Sequence, residues 1–126
     1  MKPEVKALWT AALRSGEYQQ GRMVMHSPDG KFCCLGVLCD VYAEETGLTW
    51  GKVTNQGSGD QGLEFLGDVN YPPPAVRAWA GLTSSDPRLL VPGDHVTRQI
   101  SELNDGLEPR LPLPFAEIAD LIEAQL

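Results

Sequence analysis

Basic residues are scarce in this chain. Ten Lys and Arg stand against 17 Asp and Glu, which leaves a net charge of −7. Proteins hold a phosphate backbone with Lys and Arg, so nucleic acid is a disfavoured partner. The arginines are also dispersed, since Arg14, Arg22, Arg77, Arg88, Arg98 and Arg110 share no segment. An acidic surface keeps a small protein in solution, and it also suits a basic partner. Long apolar runs are absent too, and no stretch approaches the ~20 apolar residues of a membrane span. The first residues, MKPEVKALWTAALRSGEY, carry charges where a secretory signal would have an apolar core. The expectation is a soluble, cytoplasmic protein with no membrane partner.

Cysteine is sparse as well. Cys33, Cys34 and Cys39 make an odd count, and two of them are adjacent. Neighbouring cysteines bridge only under strain, and Cys39 lies one short helical segment away, where side chains diverge. Three reduced thiols fit a cytosolic compartment. Dinucleotide fingerprints, phosphate loops and nucleophile elbows are all missing. The Gly-rich stretch GSGDQG, 57–62, lacks the Lys of a phosphate loop. No cofactor is expected.

What the chain does have is turn chemistry and helical periodicity. Its 126 residues suit one domain, 1–126, with no internal repeat. The spacing of Val5, Leu8, Trp9, Ala12 and Leu13 predicts a helix over 3–15. Ser27-Pro28-Asp29-Gly30 predicts the turn of a hairpin spanning 22–32. The segment CCLGVLCDVYAEET, 33–46, predicts a helix whose first half is apolar on nearly every side and therefore central to the core. Gly36 inside it costs helix propensity, which predicts a close approach by another segment. A second β region is expected over 48–66. Pro72 to Pro74 lead into a short helix closed by Gly81, and another is expected over 97–104, with a strand at 89–91 between them. A last helix begins at Phe115 and sets Ile118, Ala119 and Ile122 on one stripe. The fold class is α+β: a single compact domain of about five helices with a small antiparallel sheet or hairpins. Trp9, Leu35, Leu38 and Ile118 are expected to share one core, with Trp79 also inside.

Four segments together resemble a known group. They are WTAALRSGEYQQG (Trp9 to Gly21), FCCLGVLCDVY (Phe32 to Tyr42), YPPPAVRAWAGL (Tyr71 to Leu82), and LND (Leu103 to Asp105) followed by FAEIADLIE (Phe115 to Glu123). This combination is similar to a family of small proteins encoded by tailed bacteriophages and prophages, and Cys-Cys-Leu-Gly-Val-Leu is its most specific string. The resemblance covers most of the chain. It implies a phage accessory protein in the cytoplasm of the infected host. Such proteins act by binding, either to a host factor, to counter a defence or redirect metabolism, or to a small signalling molecule. The family supplies no catalytic residues to carry over. The link GLEPRLPLP, 106–114, is longer and richer in proline than in that family, which leaves the placing of the last helix open.

Several residue groups bear on chemistry. Cys33 at a helix N-terminus has the helix dipole to lower its thiol pKa, with His26 or His95 as a base. Cys33 or Cys34 is then the reactive thiol of a cysteine-dependent enzyme. Against this, free cysteine packs as a small hydrophobe and is among the most buried residue types. The cysteines and His26 are wrongly spaced for structural zinc, so no metal is expected. The carboxylate pairs Glu44-Glu45, Asp60 with Glu64, and Glu117 with Asp120 single out no acid and base. The last helix has no reading helix after it, which argues against a helix-turn-helix.

Loops with aromatics offer a different lead. Residues 50–71 hold the longest polar loop, NQGSGDQG, with Trp50 and Tyr71 at its ends. Loops that long in a compact domain are uncommon unless they bind something or are disordered. Trp50, Asp60 and Tyr71 are therefore the candidate contact residues for a partner. Binding of a host protein is the first reading. A small-molecule binder that sequesters a nucleotide signal, and a cysteine enzyme, are the alternatives. The oligomeric state is not legible.

Overall fold

A computed structural model of the chain describes residues 1–55 and 60–126. It contains five helices: α1 (Pro3–Arg14), α2 (Cys34–Thr46), α3 (Pro74–Ala80), α4 (Ile100–Asp105) and α5 (Phe115–Gln125). Among the described residues there are six short strands, β1 (Gln19–Gln20), β2 (Lys31–Phe32), β3 (Val53–Asn55), β4 (Gln61–Leu63), β5 (Arg88–Leu89) and β6 (Arg98–Gln99). The α+β expectation holds. The strands form three separate pairs, of which β3–β4 and β5–β6 are antiparallel and β1–β2 is parallel.

Helix α2 forms the centre. Every residue from Cys34 to Cys39 is buried, as its all-round apolar first half requires. Gly47 stops it at φ 75°, a conformation that favours glycine. Gly36 has the reason its sequence implied. A Cβ there would sit 1.9 Å from the Met25 carbonyl oxygen, so the chain at Met25 rests directly on the helix. Helix α1 packs on both α2 and α5, and the short α4 also touches both. Trp9, Leu35, Leu38 and Ile118 meet in one core, as their spacing predicted. The Trp9 indole N–H donates to Cys34 O at 2.9 Å, which satisfies the one polar atom the ring buries. Trp79 is only half-buried and packs against Tyr42 at 5.2 Å. Leu8 faces outward, and Thr10 takes the inner position with its hydroxyl donating to Lys6 O.

Two local expectations need correction. The 22–32 hairpin turns where predicted, with Gly30 at φ 89°, but it closes with a single antiparallel bridge, His26 to Phe32. Its return strand instead pairs in parallel with β1, because Gly21 N–H donates to Phe32 O. The helix expected over 97–104 starts at Ile100. Arg98 and Gln99 are drawn into pairing with Arg88 and Leu89, and the Arg88 guanidinium holds both the hydroxyl and carbonyl oxygens of Thr97. The link before α5 is pinned by Leu113 N–H donating to Leu103 O, which fixes the entry of the last helix.

Candidate binding cleft

The polar half of the molecule is organised by one side chain. Asn104 is fully buried near the end of α4. Its Oδ1 accepts from Cys34 N–H at 3.0 Å and from the Gln20 amide at 3.2 Å. Its Nδ2 donates to Gly21 O at 2.9 Å and to Asp105 Oδ1 at 2.9 Å. An asparagine has two acceptor and two donor positions, and all of them are used. The start of α2, the β1 segment and the end of α4 are thereby joined at a point. Asp86 adds a second tie from a distant loop. Its carboxylate accepts from Ser101 N–H at 3.0 Å and from the Ser101 hydroxyl at 2.5 Å, and so caps the start of α4.

A cleft of about 180 Å³ opens beside this joint. Met23, Val24 and Leu35 give it apolar walls, and Cys33 lies in its lining. Its polar side is formed by Asn70, Tyr71, Ser101 and Asp105. Met23 sits at φ 72°, a left-handed conformation that costs a non-glycine residue about 1–3 kcal/mol. Two bonds hold it there. Its N–H donates to Asp105 Oδ1 at 3.3 Å, and its carbonyl accepts from the Asn70 amide at 2.9 Å. Both contacts to Asp105 fall on Oδ1, so Oδ2 has no partner among the described residues. Burial raises the Asp105 pKa, against the lowering effect of its two hydrogen bonds and of Arg22, which acts from beyond ion-pair contact.

Tyr71 is 45% exposed and shares its ring with three depressions. One is the cleft. Another is bounded by Thr54 and Glu64 of the β3–β4 hairpin, and the third by Arg77 and Ser85. Burial pushes the Tyr71 hydroxyl pKa up, and the charges of Asp86 and Asp105 add to it. The phenol is therefore a neutral donor and acceptor at physiological pH.

The structure brings two of the sequence-selected residues, Tyr71 and Cys33, to this one cleft. Trp50 lies elsewhere, half-buried among His26, Phe32 and Phe65, with its indole N–H donating to Asp40 at 3.0 Å. Asp60 precedes β4, next to residues 56–59. The loop glycines Gly57 and Gly59 fall outside the described residues. Cys34 is wholly buried, with its thiol facing Ile100 O at 4.0 Å.

Cys33 is buried, as expected of a free cysteine, and the activation that a helix start could give it does not arise. Its Sγ does cap α2, accepting Gly36 N–H at 3.4 Å. Burial outweighs that bond and pushes the thiol up to about 12. Burial raises Cys34 and Cys39 as well. All three are free thiols. Among the described residues no group of His, Cys, Asp and Glu is placed to hold a metal ion. No helix of the described residues is long and apolar enough to cross a membrane.

Sequence reasoning missed Asn104, Asp105, Ser101 and Met23 as site residues. Asn104-Asp105-Gly106 reads locally as a helix stop, and nothing in its spacing shows that the asparagine would be buried. The available signal was the resemblance, whose segments contribute Gln20, Gly21, Cys33, Tyr71, Asn104 and Asp105 to this one region. A family model described as "Domain of unknown function (DUF8296)" matches residues 1–126. No curated protein and no solved structure matches the chain.

Proposed function

We propose that this chain, which belongs to the DUF8296 family, is a bacteriophage accessory protein. It acts in the cytoplasm of the infected host by binding a host protein, without catalysis. One observation carries the reading. The segments that resemble phage proteins, though far apart in sequence, supply Cys33, Leu35, Tyr71 and Asp105, half of the cleft's lining, and the polar joint behind it. A half-exposed tyrosine stands at its edge, and aromatic side chains of this kind anchor protein interfaces.

Pockets for drug-sized ligands span ~300–1,000 Å³, whereas a cavity of ~150 Å³ holds a benzene ring. The cleft of about 180 Å³ suits one side chain, and the neighbouring depressions that share Tyr71, about 320 and 470 Å³, are the places where a small molecule would have room. The enzyme reading loses its nucleophile, because a thiol held near 12 is protonated at neutral pH.

The test is capture from host lysate with the parent, with Tyr71→Ala, and with residues 55–61 shortened to a two-residue turn. A specific protein held by the parent and lost by folded Tyr71→Ala is the expected result. Retention of the shortened loop variant's partner would assign contact to the cleft rather than the loop. A nucleotide that raises the thermal midpoint, with no protein captured, would favour the small-molecule reading.

A further inference from the structure

We infer that the cleft accepts a cationic side chain of the partner, the head group of an arginine or lysine, on Asp105 Oδ2. This rests on the reading of the cleft as a partner's anchor point. The inference comes from the hydrogen-bonding inventory of the lining. Asp105 Oδ2 has no partner among the described residues and can only accept while the carboxylate is ionised. Asn70 spends an amide hydrogen on Met23 O and keeps its carbonyl oxygen. The Ser101 hydroxyl spends its proton on Asp86 and can only accept. The Tyr71 hydroxyl makes no bond to a described residue. Asn70's second amide hydrogen and the Tyr71 hydroxyl are open donors, but acceptors are more numerous and include the one charged group of the lining, so the complement to that carboxylate is a cation that only donates. Ammonium and guanidinium are the side-chain groups of that kind.

Shape and charge agree with this. Met23, Val24 and Leu35 form the apolar wall against which an aliphatic stem would lie, as arginine and lysine stems do elsewhere. Asp105 is the one charged residue of the lining; Asp86 and Arg22 act on it from nearby, and Asp68, Glu64 and Arg77 line the adjoining depressions. The balance is negative.

The experiment is amide NMR on the full chain, titrated with n-propylguanidinium, n-butylammonium, butyramide and butyrate. The two cations are expected to shift the amides of Met23, Tyr71, Ser101 and Asp105 in a saturable way. Comparing the two tells arginine from lysine. Asp105→Asn keeps the Oδ1 acceptor and should weaken cation binding about tenfold or more. Arg22→Ala removes a competing charge and should strengthen it about two- to fivefold. If butyramide or butyrate shifts these amides as strongly as the cations, the inference is overturned. The same holds if folded Asp105→Asn binds n-propylguanidinium as the parent does. If no probe moves them at tens of millimolar, the inference also falls, and host capture by Tyr71→Ala then decides whether the cleft reading falls with it.

Discussion

The two sides of this molecule are held by different physics. On the helical side, α1, α2 and α5 bury Trp9, Leu35, Leu38, Ile118 and Ile122 against one another. Any one of these contacts is weak, and the sum over many is large. On the cleft side there is little regular structure. Two-residue strands and loops are tied by Asn104, Asp86 and Asp105, each through specific bonds. Apolar packing tolerates small losses because neighbours share the load. A polar joint does not, since removing one partner leaves several buried groups unsatisfied. The difference teaches that the helical side is held by many shared contacts, whereas the cleft keeps its shape through a few side chains with specific bonds.

The sharpest break is expected where the two sides touch. In Gly36→Ala the new Cβ would meet Met25 O at 1.9 Å and its carbonyl carbon at 2.6 Å, and both are backbone atoms. Either α2 or the Met25 segment has to move, at a cost of about 3 kcal/mol or more. Equilibrium urea unfolding measures it, and an unchanged midpoint would mean that Met25 does not lie on α2. Leu38→Ala comes next, at about 2–5 kcal/mol for a fully buried leucine. Its signature differs, because the core softens while the cleft amides keep their positions in NMR spectra.

Asn104→Ala tests the other side. It strips bonds from Cys34 N–H, Gly21 O and the Gln20 amide at once. A loss of about 2–4 kcal/mol is expected, close to Leu38→Ala despite the small apolar area involved. Unlike Leu38→Ala, it should also displace the amide signals of Met23, Cys34 and Asp105. If Asn104→Ala instead destabilises by less than about 0.5 kcal/mol, the joint is wet and the contrast between the two sides fails.

The same contrast explains what was legible in the sequence. The helical side could be read because 3.6-residue periodicity is local: Val5, Trp9 and Leu13 announce their face without reference to any other segment. Gly36 was legible for a related reason, since its cost inside a helix demands a compensating contact. The cleft was not legible, because its logic is long-range. Asn104 bonds to residues 70 to 84 positions away, and no local pattern encodes that. Cys33 shows the same limit. Its place at the helix start and its burial were both readable, but that its Sγ would cap α2 while lining the edge of the cleft was not. Arg98 and Gln99 were assigned to a helix because the partner that makes them a strand, Arg88–Leu89, lies across a loop.

The smallest expected effect is the most informative about the cleft. Burial raises the Asp105 pKa, so the folded protein binds this proton more tightly than the unfolded chain does. Between the ordinary value of 3.8 and the raised one, the folded state therefore holds more protons, and stability falls as pH rises through that window. Above the window the ionised carboxylate is a standing cost, although partial exposure keeps it small. Asp105→Asn has no such cost. It should match or exceed the parent at neutral pH by about 0.5 kcal/mol. That advantage should vanish below 3.8, where Asp105 is protonated in both states. Urea midpoints of the two proteins across acid and neutral pH measure the difference. A variant that is clearly less stable at neutral pH would make Asp105 a structural pin for Met23. A variant that is stable yet loses its cation would show a carboxylate kept at the expense of the fold, which is the mark of a group retained for binding.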